Sequence, residues 1–159
     1  MEIRRFRPED AAEVTGCIVE LQDYERTIDE RVLPGEAVEG WYLDHLLKTC
    51  EEQDGTLFVA EDGSHVVGFA AVQSQVPNED VDESDYRFAL ISDLGVNETH
   101  RGEGIGRALI AACEAFARER RARWLRIGVL GRNEPARGLY ERCGFEDRQV
   151  LLEKPLSAS

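Results

Sequence analysis

Three glycines and two arginines lie close together in the middle of the chain, between an apolar run and a helical pattern. From Arg101 to Arg107 the sequence reads Arg-Gly-Glu-Gly-Ile-Gly-Arg. Glycine has no side chain to cover the unpaired N–H groups of a helix's first turn, which lie at the positive end of the helix dipole. The stretch therefore suits a binding site for a diphosphate, although glycines between a strand and a helix also suit a plain turn.

The order of residues in this stretch disfavours two common phosphate-binding loops. A nucleotide P-loop ends in Gly-Lys followed by Ser or Thr, whereas Gly106 is followed by Arg107 and Ala108. The dinucleotide fingerprint needs a further glycine after Gly102 and Gly104, at the position that Arg107 occupies. The pattern that fits is Arg-x-x-Gly-x-Gly, so a nucleotide-binding regulator is the weaker alternative.

A second patterned stretch runs from Asn133 to Phe145 and reads Asn-x-x-Ala-x-x-x-Tyr-x-x-x-Gly-Phe. Asn133 is a good helix cap, and Gly144 is typical of a helix end. Helical spacing puts Ala136 and Tyr140 one turn apart on the same face. Each residue alone also suits a purely structural role, and only the combination with the first stretch indicates a shared site.

Together the two stretches resemble the signatures of the GCN5-related N-acetyltransferase (GNAT) family. In that family the Arg-x-x-Gly-x-Gly loop binds the pyrophosphate of an acyl-CoA, and the Asn bonds the pantetheine arm or a bridging water. The resemblance therefore implies acetyl-CoA (coenzyme A) as the cofactor. The cofactor contacts it implies are Leu94, Val96, Arg101, Gly102, Glu103, Gly104, Ile105, Gly106, Arg107, Asn133, Ala136 and Tyr140.

The resemblance also implies a mechanism, in which an amine attacks the thioester directly within a ternary complex. Tyr140 is then the general acid for the leaving thiolate. The backbone of Leu94 to Val96, with the Val96 N–H foremost, would stabilise the developing negative charge if the central strand splays from its neighbour. Cys143 as a covalent nucleophile is disfavoured, because the sequence places no histidine to activate it.

Asp93 is the predicted general base and also a predicted contact of the amine. It is an acid within an otherwise apolar strand, a costly placement unless the side chain is exposed at a site or paired. Some family members carry an acid at this offset, whereas the glutamate of another branch corresponds to Leu90 here. A salt bridge or strand-end role for Asp93 stays open, as does a water chain to a more distant acid.

The acceptor is expected to contact an acidic part of the first helix. Acids cluster around Tyr24 in the stretch from Glu20 to Arg26, and the predicted substrate contacts there are Asp23 and Tyr24. Such acids suit a cationic amine, on a small molecule or a peptide, although they also suit a solvated helix end. The leading hypothesis is an acetyl-CoA-dependent N-acetyltransferase. The alternative is a non-catalytic acyl-CoA-binding or sensing module on the same fold.

Length and charge restrict the partners. The 159 residues suit a single domain over 1–159, and a formal net charge of −13 disfavours nucleic acid and anionic membranes. No apolar run approaches about 20 residues and the N-terminus lacks a signal-peptide core, so a cytoplasmic location is expected.

The four cysteines form no CxxC pair, and no cluster has metal-ligand spacing. A homodimer is common in the family, but no interface is specified.

Periodicity predicts an α/β (α+β) chain with the order βααβββαβαβ, which is also the order of the GNAT fold. A central mixed, mostly antiparallel twisted sheet with helices on both faces is expected. The predicted strands are Glu2–Phe6, Thr56–Glu61, His65–Val76, Tyr86–Val96, Arg123–Leu130 and Phe145–Glu153. The predicted helices begin at Pro8 and Asn133 and otherwise span Glu36–Glu51 and Ile105–Arg118.

Overall fold

The computed structural model describes residues 1–157. Its strands are Glu2–Arg5 (β1), Gly55–Asp62 (β2), His65–Pro77 (β3), Arg87–Val96 (β4) and Leu125–Ile127 (β5). Its α-helices are Ala11–Ile28 (α1), Gly35–Val38 (α2), Tyr42–Glu52 (α3), Ile105–Glu119 (α4) and Glu134–Arg142 (α5). Short 3₁₀ turns cover Pro8–Asp10 and Glu98–His100.

The five strands form one sheet in the order β1-β2-β3-β4-β5. The first four strands are antiparallel, and β5 is parallel to β4. The β2–β3 hairpin turns at Gly63, whose φ of +64° suits glycine. The prediction of a mixed, mostly antiparallel sheet is confirmed.

Alternate residues of β3 supply the two faces of the sheet. Phe69 and Ala71 belong to the buried cluster with α1 and α3, whereas Ala70 and Val72 belong to the cluster with α4. This is the period of two that a strand imposes on its side chains. It places helices on both faces, as predicted.

The strands β4 and β5 diverge soon after they meet. Their parallel register ends at the pair Ile91 and Ile127. In β4 the register with β3 also shifts there, because Val72 faces Ile91 while Ala71 faces Asp93, so Ser92 is a bulge. The opening between the two strands is the splay that the family resemblance required.

The prediction of one helix over Glu36–Glu51 is wrong, since the structure has α2 and α3 separated by a break. Gly40, a poor helix former, lies within that break. Trp41 is the non-helical residue before α3 and is 49% exposed. Tyr42, the next residue, packs against the core.

The predicted last strand, Phe145–Glu153, is also wrong. Between residues 146 and 157 the structure has no strand and no backbone hydrogen bond. A strand needs a paired neighbour, and β5 itself is shorter than the predicted Arg123–Leu130 because it pairs with β4 over only three residues. Sequence patterning reports a side chain's preference for a strand but not whether the segment pairs with a neighbouring strand.

Within residues 1–157 no helix is long and apolar enough to cross a membrane. The same residues contain no group of His, Cys, Asp and Glu arranged to hold a metal ion. The cysteines are free, with Cys17, Cys50 and Cys113 buried and Cys143 half-buried.

Candidate functional site

A cavity of about 170 Å³ opens where β4 and β5 diverge. Its walls come from both strands, from α1 and α3 on one side and from α5 on the other. The lining residues are Ile18, Leu21, Gln22, Glu25, Tyr42, Phe69, Ile91, Ser92, Asp93, Leu94, Ile127, Gly128 and Tyr140. This lining contains two carboxylates and no arginine, lysine or histidine.

Asp93 lies on β4 at the cavity wall. The Tyr42 hydroxyl donates to its carboxylate, with Oδ2 at 2.8 Å and Oδ1 at 3.0 Å. Burial raises the pKa of Asp93 to about 7, against the lowering effect of the Tyr42 hydrogen bond, and the nearby Glu25 charge raises it further. No basic residue among positions 1–157 forms an ion pair with Asp93, so the salt bridge left open above is absent from the described residues.

Glu25 is the second carboxylate of the cavity, and sequence reasoning did not single it out. Burial raises its pKa. Its position was readable from the helical period, because Glu25 follows Ile18 and Leu21 along the buried stripe of α1. An acid in register with an apolar stripe is costly unless it faces a site.

Asp23 and Tyr24, the predicted acceptor contacts on α1, lie outside the cavity lining. Asp23 accepts a hydrogen bond from the backbone N–H of Gly35 at 2.7 Å and so ties α1 to α2. The ring of Tyr24 lies under the Arg101 guanidinium, 4.9 Å from its carbon. The Tyr24 hydroxyl is 3.5 Å from Oδ1 of Asn133. Tyr24 therefore connects the two sequence motifs.

Tyr140 reaches the cavity from α5, opposite α1. Burial raises its pKa to about 12, and the charge of Glu25 adds to the effect. Its ring packs edge-on against Phe145, with 6.0 Å between centroids. The structure thus brings the predicted acid and the predicted base, Tyr140 and Asp93, to the walls of one cavity.

Backbone N–H groups of β4 also face the opening. Asn97 donates its N–H to the Val67 carbonyl of β3 at 2.8 Å. Since successive N–H groups point to opposite edges of a strand, those of Leu94 and Val96 point away from β3, toward the side where β5 has diverged. They are placed to donate to a group lying between the strands.

The glycine-rich stretch forms the entry to α4. Gly102 and Gly104 have φ of +80° and +83°, a conformation that favours glycine, and a Cβ at either position would meet no atom within 4 Å. The backbone is therefore open on this side, and the first-turn N–H groups of α4 have no helical partner. Gly106 differs, since a Cβ there would lie 3.0 Å from Leu139 Cδ2. Its missing side chain lets α4 approach α5.

The other predicted cofactor contacts surround this entry or begin α5. Glu103 and Arg107 are exposed, whereas the Ile105 side chain is in the core and leaves only its backbone for a ligand. The Arg101 Nε donates to the Val96 carbonyl at 3.2 Å. Asn133 is 8% exposed and caps α5, since its Oδ1 accepts from the Ala136 N–H at 3.3 Å.

Comparison with known proteins identifies the family. The model of the acetyltransferase (GNAT) family matches residues 18–145. This chain belongs to that family. The match covers both sequence motifs and the divergent strands, so the resemblance drawn from the motifs is confirmed for this GNAT domain.

Two relatives and one solved structure illustrate the likeness. A streptothricin acetyltransferase of Streptomyces lavendulae is 40% identical over 97 residues, 60% of this chain and 47% of that protein. An aminoglycoside N(6')-acetyltransferase type 1 of Stenotrophomonas maltophilia is 31% identical over 121 residues, 74% of this chain and 78% of that protein. The structure of aminoglycoside N-acetyltransferase AAC(6')-Iy in complex with CoA has 16% identity and a TM-score of 0.69, over 98% of this chain and 100% of that one.

The structural likeness to AAC(6')-Iy concerns the fold alone. The chain spans less than half the length of the first three curated relatives it matches, 44%, 47% and 46%. The matched region, residues 18–145, therefore shows the family of this domain.

Proposed function

We propose that this GNAT protein transfers an acetyl group from acetyl-CoA to a primary amine bound between β4 and β5. The observation that carries the proposal is the shared cavity of Asp93 and Tyr140. A carboxylate with a pKa near neutrality and a protonated phenol face each other across an opening bordered by free strand N–H groups. Amine acylation needs these three elements: a base, an acid and donors for a developing oxyanion.

The entry to α4 fits the pyrophosphate of coenzyme A. The backbone is open at Gly102 and Gly104, and the dipole of a 15-residue helix favours an anion there. Arg101 and Arg107 add positive charge, while Asn133 and Ala136 at the start of α5 lie along the way to the cavity. When bound, acetyl-CoA supplies a thioester-activated acetyl group.

Proton transfer is assigned to the two titratable side chains. Asp93 accepts the proton that the acceptor's ammonium group loses to become the attacking amine, and its pKa of about 7 suits a base at neutral pH. Tyr140 is protonated at that pH and donates toward the departing sulfur. The burial that raises its pKa also disfavours a thiolate in the same cavity, which makes a donor there necessary. The N–H groups of Leu94 and Val96 stabilise the acyl oxygen.

The acceptor is a cationic amine, and we assign Glu25 together with Asp93 to its recognition. Both carboxylates line a cavity without a basic side chain, so an ammonium group supplies the missing positive charge. A second cationic group on the acceptor would pair with Glu25 while Asp93 receives the reacting amine. The names of the streptothricin and aminoglycoside relatives support an acceptor with several amino groups.

The test is release of free thiol from acetyl-CoA in the presence of monoamines, polyamines, aminoglycosides and a lysine peptide. Wild-type protein should turn over at least one of them. Tyr140→Phe should lower kcat by roughly 10²- to 10⁴-fold with CoA affinity nearly unchanged. Tyr86→Phe, outside the cavity lining, is the matched control and should keep the wild-type rate.

Two results would overturn the assignment. CoA binding without thiol release for any amine in the panel would favour a non-catalytic acyl-CoA-binding module. A wild-type rate for Tyr140→Phe would remove the phenol from the mechanism.

A further inference from the structure

One face of α1 supports the segment that leads from β4 to the glycine-rich stretch. The Cys17 thiol donates to Oδ1 of Asn97 at 3.1 Å. Glu20 Oε1 accepts a hydrogen bond from the Glu98 N–H at 2.6 Å. Tyr24 follows one turn later, and steps of three and four residues put the three side chains on the same face of the helix. Tyr24 therefore stands at the end of α1's contact with the approach to α4.

The ring of Tyr24 supports the side chain of Arg101. The guanidinium carbon lies 4.9 Å from the ring centroid, and this attraction uses the charge of the guanidinium without occupying its N–H groups. The Arg101 Nε donates to the Val96 carbonyl. Among residues 1–157 the two Nη groups of Arg101 have no acceptor. They are left to bind an anion with two parallel hydrogen bonds, as arginine does with a phosphate.

The hydroxyl of Tyr24 faces the side-chain amide of Asn133. It lies 3.5 Å from Asn133 Oδ1, which also accepts from the Ala136 N–H at 3.3 Å. A backbone N–H can only donate, so the amide oxygen faces these two groups and Nδ2 lies on the other side. Within residues 1–157 Nδ2 has no acceptor. It is left as a donor for a carbonyl group, which the amides of the pantetheine arm offer.

We propose that Tyr24 is a positioning residue that holds the two halves of the coenzyme A site in register. Its ring orients Arg101 for the diphosphate, and its hydroxyl orients Asn133 for the pantetheine arm. The inference rests on the proposed function, because it takes both residues as cofactor contacts. A ligand that meets two groups already in place does not pay the entropy of ordering them. Tyr24, expected from the sequence to contact the acceptor, thereby serves the cofactor.

Calorimetry of coenzyme A binding to the full chain tests the hydroxyl first. Tyr24→Phe keeps the ring under Arg101 but no longer orients the Asn133 amide. It should weaken binding about threefold to tenfold. In an Asn133→Ala background the same change should alter affinity by less than about twofold, because no amide is left to orient.

Tyr24→Leu tests the ring, since it removes the support of Arg101 as well. It should weaken coenzyme A binding by about a further twofold to fivefold. In an Arg101→Gln background this additional loss should disappear, because no guanidinium is left for the ring to support. Circular dichroism should show the same helix content in all variants.

The nucleotide half of coenzyme A, a phosphorylated ADP without the pantetheine arm, separates positioning from a structural role. Tyr24→Phe should bind this half as tightly as the wild type, whereas Tyr24→Leu should bind it more weakly. A merely loosened α1 would weaken the binding of both ligands in both variants. Tyr86→Phe is the matched control, because it removes a hydroxyl just before β4, at the opposite end of that strand from Val96. It should bind both ligands normally.

Additive losses in the two double-variant series would overturn the proposal, as would a wild-type affinity for coenzyme A in Tyr24→Leu. Equal losses for coenzyme A and for its nucleotide half in Tyr24→Phe would also overturn it. Binding is measured without turnover, so a chain that couples as expected but acetylates no amine would leave this role standing and end the proposal of acetyl transfer. Normal turnover with additive losses would do the reverse.

Discussion

The Tyr42 hydroxyl lies within hydrogen-bond distance of both carboxylate oxygens of Asp93, at 3.0 Å and 2.8 Å. This contact joins α3 to β4 at the cavity wall and stabilises the ionised form of Asp93 in a place where burial favours the protonated one. The basicity of Asp93 is therefore a balance between burial and this hydrogen bond, and it depends on Tyr42, which neither sequence motif contains.

Tyr42→Phe should move the acidic limb of the pH–rate profile to higher pH. Loss of a hydrogen bond to the ionised carboxylate raises the pKa of Asp93, so more alkaline solution is needed to deprotonate the base. A hydrogen bond to a charged group corresponds to a shift of about one pH unit. Profiles of kcat/KM measure it, with Tyr86→Phe as control. An unshifted limb in Tyr42→Phe would show that Asp93 is not the base.

Asp93→Asn should stabilise the fold at alkaline pH and have little effect at acid pH. The pKa of Asp93 is about 7 in the folded protein against an ordinary value of 3.8, so the folded state binds the proton more tightly. The stability that this proton gives is complete below the ordinary pKa and is lost as pH rises through 7. Asparagine has no charge to bury. Unfolding free energies should rise by about 4 kcal/mol at pH 8 and by much less at pH 4.

The control for this measurement is Asp82→Asn, in the exposed loop before β4. It should change stability little at either pH. If Asp93→Asn destabilises the protein equally at pH 8 and pH 4, ionisation of the Asp93 carboxylate does not lower the stability of the folded state.

Gly104→Ala should weaken CoA binding about tenfold or more. A side chain at a φ of +83° is strained, and its Cβ would extend into the open space that the proposed pyrophosphate occupies. Gly63→Ala is the matched control, because Gly63 has a φ of +64° and open space too, but lies in the β2–β3 turn. Calorimetry should show weaker CoA binding for Gly104→Ala and unchanged CoA binding for Gly63→Ala. If Gly104→Ala and Gly63→Ala bind CoA with equal affinity, the glycine-rich stretch before α4 does not bind the cofactor.

The sequence predicted those parts of the molecule that depend on local rules. The caps and glycines at the ends of α4 and α5 are set within a few residues, and so are the alternation of β3 and the hairpin at Gly63. The failures depend on distant partners. Phe145–Glu153 has the composition of a strand, but in the structure it does not pair with the free edge of β5. The error at Asp23 is of another kind, because the helical period already places Glu25, and not Asp23, on the stripe of Ile18 and Leu21 that faces the cavity.

Glu25→Gln should raise the KM for an acceptor with several amino groups by about tenfold, and that for a monoamine much less. Loss of one buried charge-assisted contact is worth about 1.4 kcal/mol or more, which is tenfold in affinity. The change also removes a charge that raises the pKa of Asp93, so the acidic limb should move to lower pH. Asp23→Asn is the matched control, because Asp23 lies two residues away but binds the Gly35 N–H. A raised KM in Asp23→Asn with a normal one in Glu25→Gln would place the acceptor on the other face of α1.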